Sequence, residues 1–246
     1  MPRHIVYNIG QLGHWRQVVQ EQLALLTTQG VHLHVAVNGM EDVRVYLEAW
    51  GGAYTIVSQQ PNLKRYEFPA LIHLDALARQ LDPSECVLYL HTKGTSHGAG
   101  SEKRTWWRHV MDALLLDGYE WAYGYMQAHP ECDAIGYNWL DIPRVPHFSG
   151  NYWLARARHL QRLKPFEAYV KAPRHRVYDS SDIRLCAEFW IGSYDWKGDT
   201  TPPQICSLHH RNVNWQRTDF EAECKKIRQS QKDGTLLTHI VRGSLK

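Results

Sequence analysis

Between Cys86 and Gly94 the chain reads CVLYLHTKG, an apolar run from Val87 to Leu90 that stops at His91, Thr92, Lys93 and Gly94. Such a run predicts a strand buried on both faces, and in open α/β sheets ligands gather at the carboxyl ends of the strands. An imidazole, a hydroxyl and an ammonium at that end suit an anion, a diphosphate above all, and Gly94 lets the backbone come close to it. Arg104 and Arg108 follow within the basic aromatic segment KRTWWR at 103–108 and add positive charge. The competing reading is an ordinary polar turn after a buried strand, with both arginines on a solvated helix face.

Those residues need a scaffold, and the first 95 residues supply its pattern. Strands are predicted at 5–9, 31–38, 53–57 and 87–90, alternating with helices at 15–28, 41–50 and 66–81. Strands alternating with helices predict an α/β fold with a mostly parallel, Rossmann-type sheet flanked by helices. Pro69 falls in a first helical turn, where proline is tolerated. The second half is less regular. It reads as helices at 106–116 and 119–128 broken at Asp117-Gly118, a strand at 133–137 and a loop at 143–150. A strand at 151–155, helices at 157–163 and 180–190, a weak strand at 204–208 and a polar helix at 220–232 complete it. With no repeat or linker in view, 1–246 reads as one domain, with 1–95 as its nucleotide-binding half and 96–246 as its acceptor half.

Composition narrows the classes. At 246 residues, 43% hydrophobic and 22% charged, the chain is long enough for a sizeable core and ordinary for a globular protein. The net charge of +3 is spread along the chain, which argues against a nucleic-acid partner despite the KRTWWR segment. No apolar run reaches the ~20 residues of a membrane span. No signal peptide is visible, and a cytoplasmic location is the expectation. The five cysteines are widely spaced without a CxxC, which predicts no disulfide framework, and Cys86 and Cys132 read as buried thiols. Trp 10 and Tyr 13 against Phe 5 give weak support to a polar cleft lined by rings.

Five segments occur in order: YEFPAL at 66–71, YLHTKG at 89–94, Trp107-Arg108, HFSGNYW at 147–153 and EFWI at 188–191. Together they resemble a family of GT-A-type glycosyltransferases from bacterial surface-polysaccharide clusters and some large viruses, related to HxK-bearing domains of rhamnan-synthesis proteins. The resemblance runs from about residue 5 to about residue 192. It implies a GT-A-like fold and transfer of a sugar from a nucleotide-diphosphate donor, UDP foremost, to a glycan, a lipid-linked glycan or another hydroxyl acceptor. Common GT-A enzymes hold a divalent metal with Asp-x-Asp at the central strand end. Here His91-Thr92-Lys93 stands in that place, so cationic side chains replace the metal, with Mn or Mg and a ligand at His209 or His210 as the alternative.

Within that reading each remaining candidate has a role. Lys93 meets the leaving diphosphate, with His91, Thr92, Gly94, Arg104 and Arg108 beside it. Glu188 sits in an apolar stretch, CAEFWIG, where burial would raise its pKa toward that of a useful base. The resemblance puts the Glu-x-Trp segment where inverting enzymes keep theirs. Asp182 is the runner-up, with a helix-start role competing, and Asp179 follows it. His147, Ser149, Gly150, Asn151, Trp153 and Trp190 would line the sugar and acceptor pocket, with core packing as the competing role of Trp153. Tyr7, Asn8 and Asn38 fall at strand ends where a nucleotide base would lie. Glu67 would touch the ribose or cap the third helix. A non-catalytic nucleotide-sugar or carbohydrate-binding domain is the alternative to an enzyme.

Overall fold

The computed structural model describes residues 3–95, 102–142, 145–171, 183–194, 202–209, 219–234 and 239–242. Its first half is a regular α/β alternation: β1 (Arg3–Gly10), α1 (Trp15–Leu25), β2 (Val31–Asn38), α2 (Arg44–Trp50), β3 (Ala53–Gln60), α3 (Phe68–Ala78) and β4 (Cys86–His91). There follow α4 (Glu102–Asp112), α5 (Tyr119–Ala128), β5 (Ala134–Leu140), β6 (His147–Phe148), β7 (Trp153–Arg156), α6 (Ala157–Arg162), α7 (Phe166–Lys171), α8 (Leu185–Phe189), β8 (Gln204–His209), α9 (Phe220–Lys232) and β9 (His239–Arg242).

Side-chain pattern accounts for these elements. On α1, Trp15, Val18, Val19, Gln22 and Leu23 form one buried stripe, and the helix stops where Leu26 turns extended. Gly51 ends α2 in the left-handed conformation, φ 79°. Asp219 caps α9 by accepting from the Ala222 N–H at 3.0 Å. Helix α4 begins earlier than its sequence predicts and runs straight into a π-helical turn at Ala113–Asp117. Helix α7 and strand β9 have no counterpart in the sequence reading, and β3 is longer than predicted.

The strands form one sheet in the order β3-β2-β1-β4-β7-β5-β8-β9, with β6 paired to β5. From β3 to β4 every pairing is parallel; β7 then enters antiparallel between β4 and β5, and β5 pairs parallel with β8. The class is α/β with a sheet flanked by helices, as predicted, but the sheet is parallel only through its first half and mixed beyond it. Alternation along each strand feeds two cores. In β4, Cys86, Leu88 and Leu90 face the core that also holds α1, α4, α5 and α9, while Val87 and Tyr89 face the core under α3, α6, α7 and α8.

One cysteine expectation is corrected. Cys132 is paired with Cys206 in a disulfide rather than standing as a free thiol; the pairing of β5 with β8 brings the segment just before β5 alongside, with the two Cα atoms 6.4 Å apart. Cys86 is a buried free thiol, as predicted. No helix among the described residues is long and apolar enough to cross a membrane.

Candidate active site

The chain lays down β1, β2 and β3 outward and then returns to place β4 on the other side of β1. The strand order therefore reverses between β1 and β4, the point where open α/β sheets form a crevice beyond the carboxyl ends of their strands. Thr92 closes its floor: its hydroxyl accepts from the Gly10 N–H at 2.9 Å and donates to the Gly10 carbonyl at 3.3 Å. Thr92 thus ties the two strand ends together, and its hydroxyl is spent on that bond rather than turned to a ligand.

Above this floor one tight turn organises the charges. Gly150 and Asn151 both lie in the left-handed region, φ 98° and 54°. A β-carbon on Gly150 would stand 2.6 Å from the Met111 sulfur, so only glycine fits there. The Gly150 N–H donates to Glu188 Oε1 at 3.2 Å, and its carbonyl accepts from His91 Nε2 at 3.0 Å. The Asn151 amide donates to Glu67 Oε2 at 2.7 Å, and that same oxygen accepts from the Tyr89 hydroxyl at 2.7 Å. Glu67 Oε1 lies 3.8 Å from His91 Nδ1. A single turn therefore fixes two carboxylates on either side of one imidazole. Glu67 occupies the N-cap position of α3 but makes no capping bond; its side chain reaches across to the turn.

Lys93 completes the cluster. Its ammonium stands 4.7 Å from the centre of the Trp107 ring, a cation–π contact. Burial pushes the Glu188 carboxyl up, but Lys93, His147, the Gly150 N–H and His91 together bring it below its ordinary value. This corrects the expected raised pKa: the apolar neighbours of Glu188 in sequence are outweighed by charges from distant segments. Burial lowers His91, offset in part by Glu67 and Glu188, and lowers His147, offset in part by Glu188. His147 Nδ1 donates to the Val145 carbonyl at 2.7 Å, and its ring packs 4.6 Å from Phe189. Ser149, half-buried, anchors the turn through its N–H to the Asn138 carbonyl at 2.8 Å. Gly94, φ 87°, turns the chain away beside exposed Arg104.

Beside the charged cluster, the tips of β1, β2 and β3 carry a ladder of amides. The Gln60 amide donates to Asn38 Oδ1 at 3.0 Å, and the Asn38 amide donates to Asn8 Oδ1 at 3.0 Å. Asn38 also donates to the carbonyl of Tyr66, a non-glycine residue held at φ 50°. Asn8 and Asn38 lie toward the ends of β1 and β2, as their sequence position predicts, and both are buried. Gln60 and Tyr66 were missed; the unusual backbone of Tyr66 leaves no mark in the sequence.

Several predicted contacts are corrected. Tyr7 is buried and donates to Gln22 Oε1 at 2.6 Å, on the α1 side of the sheet. Arg108 is buried, 1% exposed, against Glu21 at 2.5 Å and Asp112 at 3.5 Å. The Trp153 N–H donates to Asn151 Oδ1 at 2.9 Å and the Trp190 N–H to the Lys164 carbonyl at 2.8 Å, with both rings fully buried. None of these four presents its polar atoms to the crevice. They support it instead: Gln22 also bonds the Tyr152 hydroxyl, which donates to the His91 carbonyl, and lies 3.2 Å from Asp112. Gln22 was missed, although it sits on the apolar stripe of α1, where a polar residue signals a buried partner. Asp182, Asp179 and His210 lie outside the described residues; His209 ends β8.

The profile of a family described as "Domain of unknown function (DUF8361)" matches residues 5–196. The chain belongs to the DUF8361 family. The matched stretch contains every residue of the cluster, from Glu67 to Glu188. No curated protein matches this DUF8361 chain. Among solved structures it is similar to a protein from Desulfovibrio desulfuricans G20 provisionally named a nucleotide-diphospho-sugar transferase, at 11% identity and TM-score 0.38, over 95% of this chain and 98% of that one. It is similar also to glucosyl-3-phosphoglycerate synthase from Mycobacterium tuberculosis, solved with phosphoglyceric acid, at 12% identity and TM-score 0.38, over 99% and 88% of the two chains. Likenesses this distant assign no activity to the DUF8361 chain.

A divalent metal of the Asp-x-Asp kind does not fit the tip of β4. Its side chains are an imidazole already donating to Gly150, a hydroxyl bonded to Gly10 and an ammonium. Among the described residues no group of three or more His, Cys, Asp or Glu could hold a metal ion.

Proposed function

We propose that this protein transfers a glycosyl group from a nucleotide-diphosphate sugar, UDP foremost, to a hydroxyl acceptor such as a glycan. The observation that carries the reading is the glycine turn beside the strand-order reversal, which binds Glu188 through the Gly150 N–H and His91 through the Gly150 carbonyl, with the Lys93 charge near enough to help keep that carboxylate ionised. In the reaction the acceptor hydroxyl gives its proton to Glu188 and its oxygen bonds the anomeric carbon. The bond from that carbon to the diphosphate breaks, and the charge left on the nucleotide is met by Lys93, with Arg104 at the rim. The sugar inverts. Lys93 has a second effect. A bound diphosphate brings negative charge beside Glu188 and engages its cation, so the carboxylate becomes more basic as the donor arrives. Asn8 and Asn38 lie where the base would stack, and His147 and Ser149 near the sugar.

The depressed pKa of Glu188 also favours a second reading, a domain that binds the nucleotide sugar without catalysing transfer, since a weakly basic carboxylate is a poor proton acceptor. A thermal-shift panel of UDP, GDP, dTDP and CMP sugars, each with manganese and with EDTA, tests both. Stabilisation by one nucleotide regardless of EDTA supports the cationic site; stabilisation only with manganese overturns it. Loss of transfer with retained donor binding in Glu188→Gln separates the enzyme from the binding domain.

A further inference from the structure

At the opposite end of the sheet from the crevice, four histidines share one face. His4 on β1 pairs in register with His32 on β2, and His34 lies two residues further along β2. His73 comes down from α3. His4 Nδ1 lies 3.0 Å from His34 Nε2, and His34 Nδ1 lies 3.0 Å from His73 Nε2. The His32 ring packs 4.7 Å from that of His34, and its Nε2 bonds Thr55 on β3 at 2.9 Å. The nitrogens meet in pairs rather than at one point, which is the geometry of a relay and not of a metal centre.

A neutral imidazole has one donor and one acceptor nitrogen, so three neutral rings in a row satisfy each other when their tautomers run in one direction, and the row tolerates at most one added proton. A single proton on His34 makes both its nitrogens donors and reverses one neighbour. A second proton sets two donors face to face and breaks a bond that joins α3 to the sheet. We propose that the His4–His34–His73 relay is a pH-sensitive latch that holds α3 on β1 and β2 when neutral and releases it when charged.

The surroundings oppose charging. His34 is held by burial, then by His73, His32 and His4, at about 3. Burial and then His4 lower His73; burial lowers His4, with His32 adding to the effect and Glu85, before β4, working against it. Thr55, on β3, carries no charge. A free histidine charges near ~6.5. The unfolded or released state thus binds protons that the latched state refuses, and the latch weakens as pH falls below that value. Helix α3 begins beside Glu67, so its release is felt at the turn that holds the crevice.

Hydrogen exchange of the full chain at pH 7.5 and pH 5, corrected for intrinsic rates, tests the latch. The amides of α3 should lose protection about tenfold or more in acid, while α5, which has no part in the relay, keeps its own. Parallel loss in both helices, or no loss in α3, overturns the proposal. In His34→Gln, which keeps a donor and an acceptor but takes no proton, α3 should lose clearly less protection in acid than in the parent, because only His4 and His73 then titrate. Should that variant not fold, His73→Gln removes the proton site on the half-buried helix side and should reduce the acid sensitivity in the same way, and it is the full sensitivity of the parent, retained, that counts against the latch. A folded variant of either kind that keeps the acid sensitivity of the parent overturns the latch.

Discussion

Arg108 with Glu21 and Asp112, and Glu188 with the Gly150 N–H and the nearby charge of Lys93, are two settings of cation and carboxylate around the same strand tip. The first is closed around Arg108 and Asp112, with Glu21 partly exposed on its outer side. Arg108 and Asp112 are 2% and 3% exposed at their side chains, and Gln22 links Asp112 to the Tyr152 hydroxyl. Burial raises Asp112 to about 7 against the pull of Arg108 and Gln22. The second is open. Glu188 is only partly buried, takes its hydrogen bond from a glycine N–H, and is held below its ordinary value. One carboxylate is kept hard to ionise inside the fold; the other is kept ionised at its edge. Burial acts on both, and what separates them is how many fixed positive charges and N–H groups converge on each. A charge that is paired and sealed is scaffold, whereas one that is paired and open still has a face to offer a substrate.

The largest effect that would break this contrast is catalytic. Glu188→Gln should lower transfer by about 10²–10⁴-fold with donor binding retained, if Glu188 is the base. Arg108→Met should act on stability instead. It leaves Asp112 without its cation, and where that carboxylate is ionised, above about pH 7, removing one partner of a buried pair costs up to about 3–5 kcal/mol, read from urea unfolding. If Arg108→Met unfolds no more readily than the parent, the closed cluster is not sealed as described.

The sequence shows some of this and hides the rest for physical reasons. The tip of β4 is legible because an apolar run ends at four polar residues. Helices α5 and α9 match their predicted spans because their local periodicity suffices. Arg104 and Arg108 are one helical turn apart and read as one solvated face, yet one is exposed and the other buried. The difference is made by Glu21 on α1 and by α9 packing against α4, both remote in the chain. Trp153 and Trp190 read as lining of the sugar and acceptor pocket because a ring that packs in the core and one that faces a sugar have the same sequence signature. Their N–H partners, Asn151 and the Lys164 carbonyl, appear only in three dimensions. The Cys132–Cys206 pair, 74 residues apart, likewise depends on a strand pairing that no local pattern announces.

Asp112 gives a smaller test of the same contrast. Its folded pKa, about 7, is raised above the unfolded carboxylate value. Its contribution to stability is therefore full below about 4 and is lost as pH rises through about 7. One such group changes the slope of stability with pH by at most about 1.4 kcal/mol per unit. In Asp112→Asn the unfolding free energy between pH 4 and 7 should fall less steeply than in the parent. An unchanged slope would mean that Arg108 keeps Asp112 ionised and that the two clusters are electrostatically alike.

Arg104 should give the smallest effect and the finest division of the open site. It is exposed on the first turns of α4, next to Gly94, and does not share the sealed pairing of Arg108. Removing an exposed cation changes stability by no more than about 0.5 kcal/mol. Its pull on a diphosphate is worth about 0.2–1 kcal/mol, a few-fold in Kd. Such an attraction is screened by salt, so the affinities of Arg104→Ala and the parent for the nucleotide should converge as ionic strength rises. Lys93→Ala should cost more and keep its deficit in salt, because Lys93 lies inward against Trp107 and Glu188. Equal losses in the two variants would mean that the rim and the floor of the crevice hold the diphosphate alike. No loss in Arg104→Ala at low salt would confine the anion to Lys93.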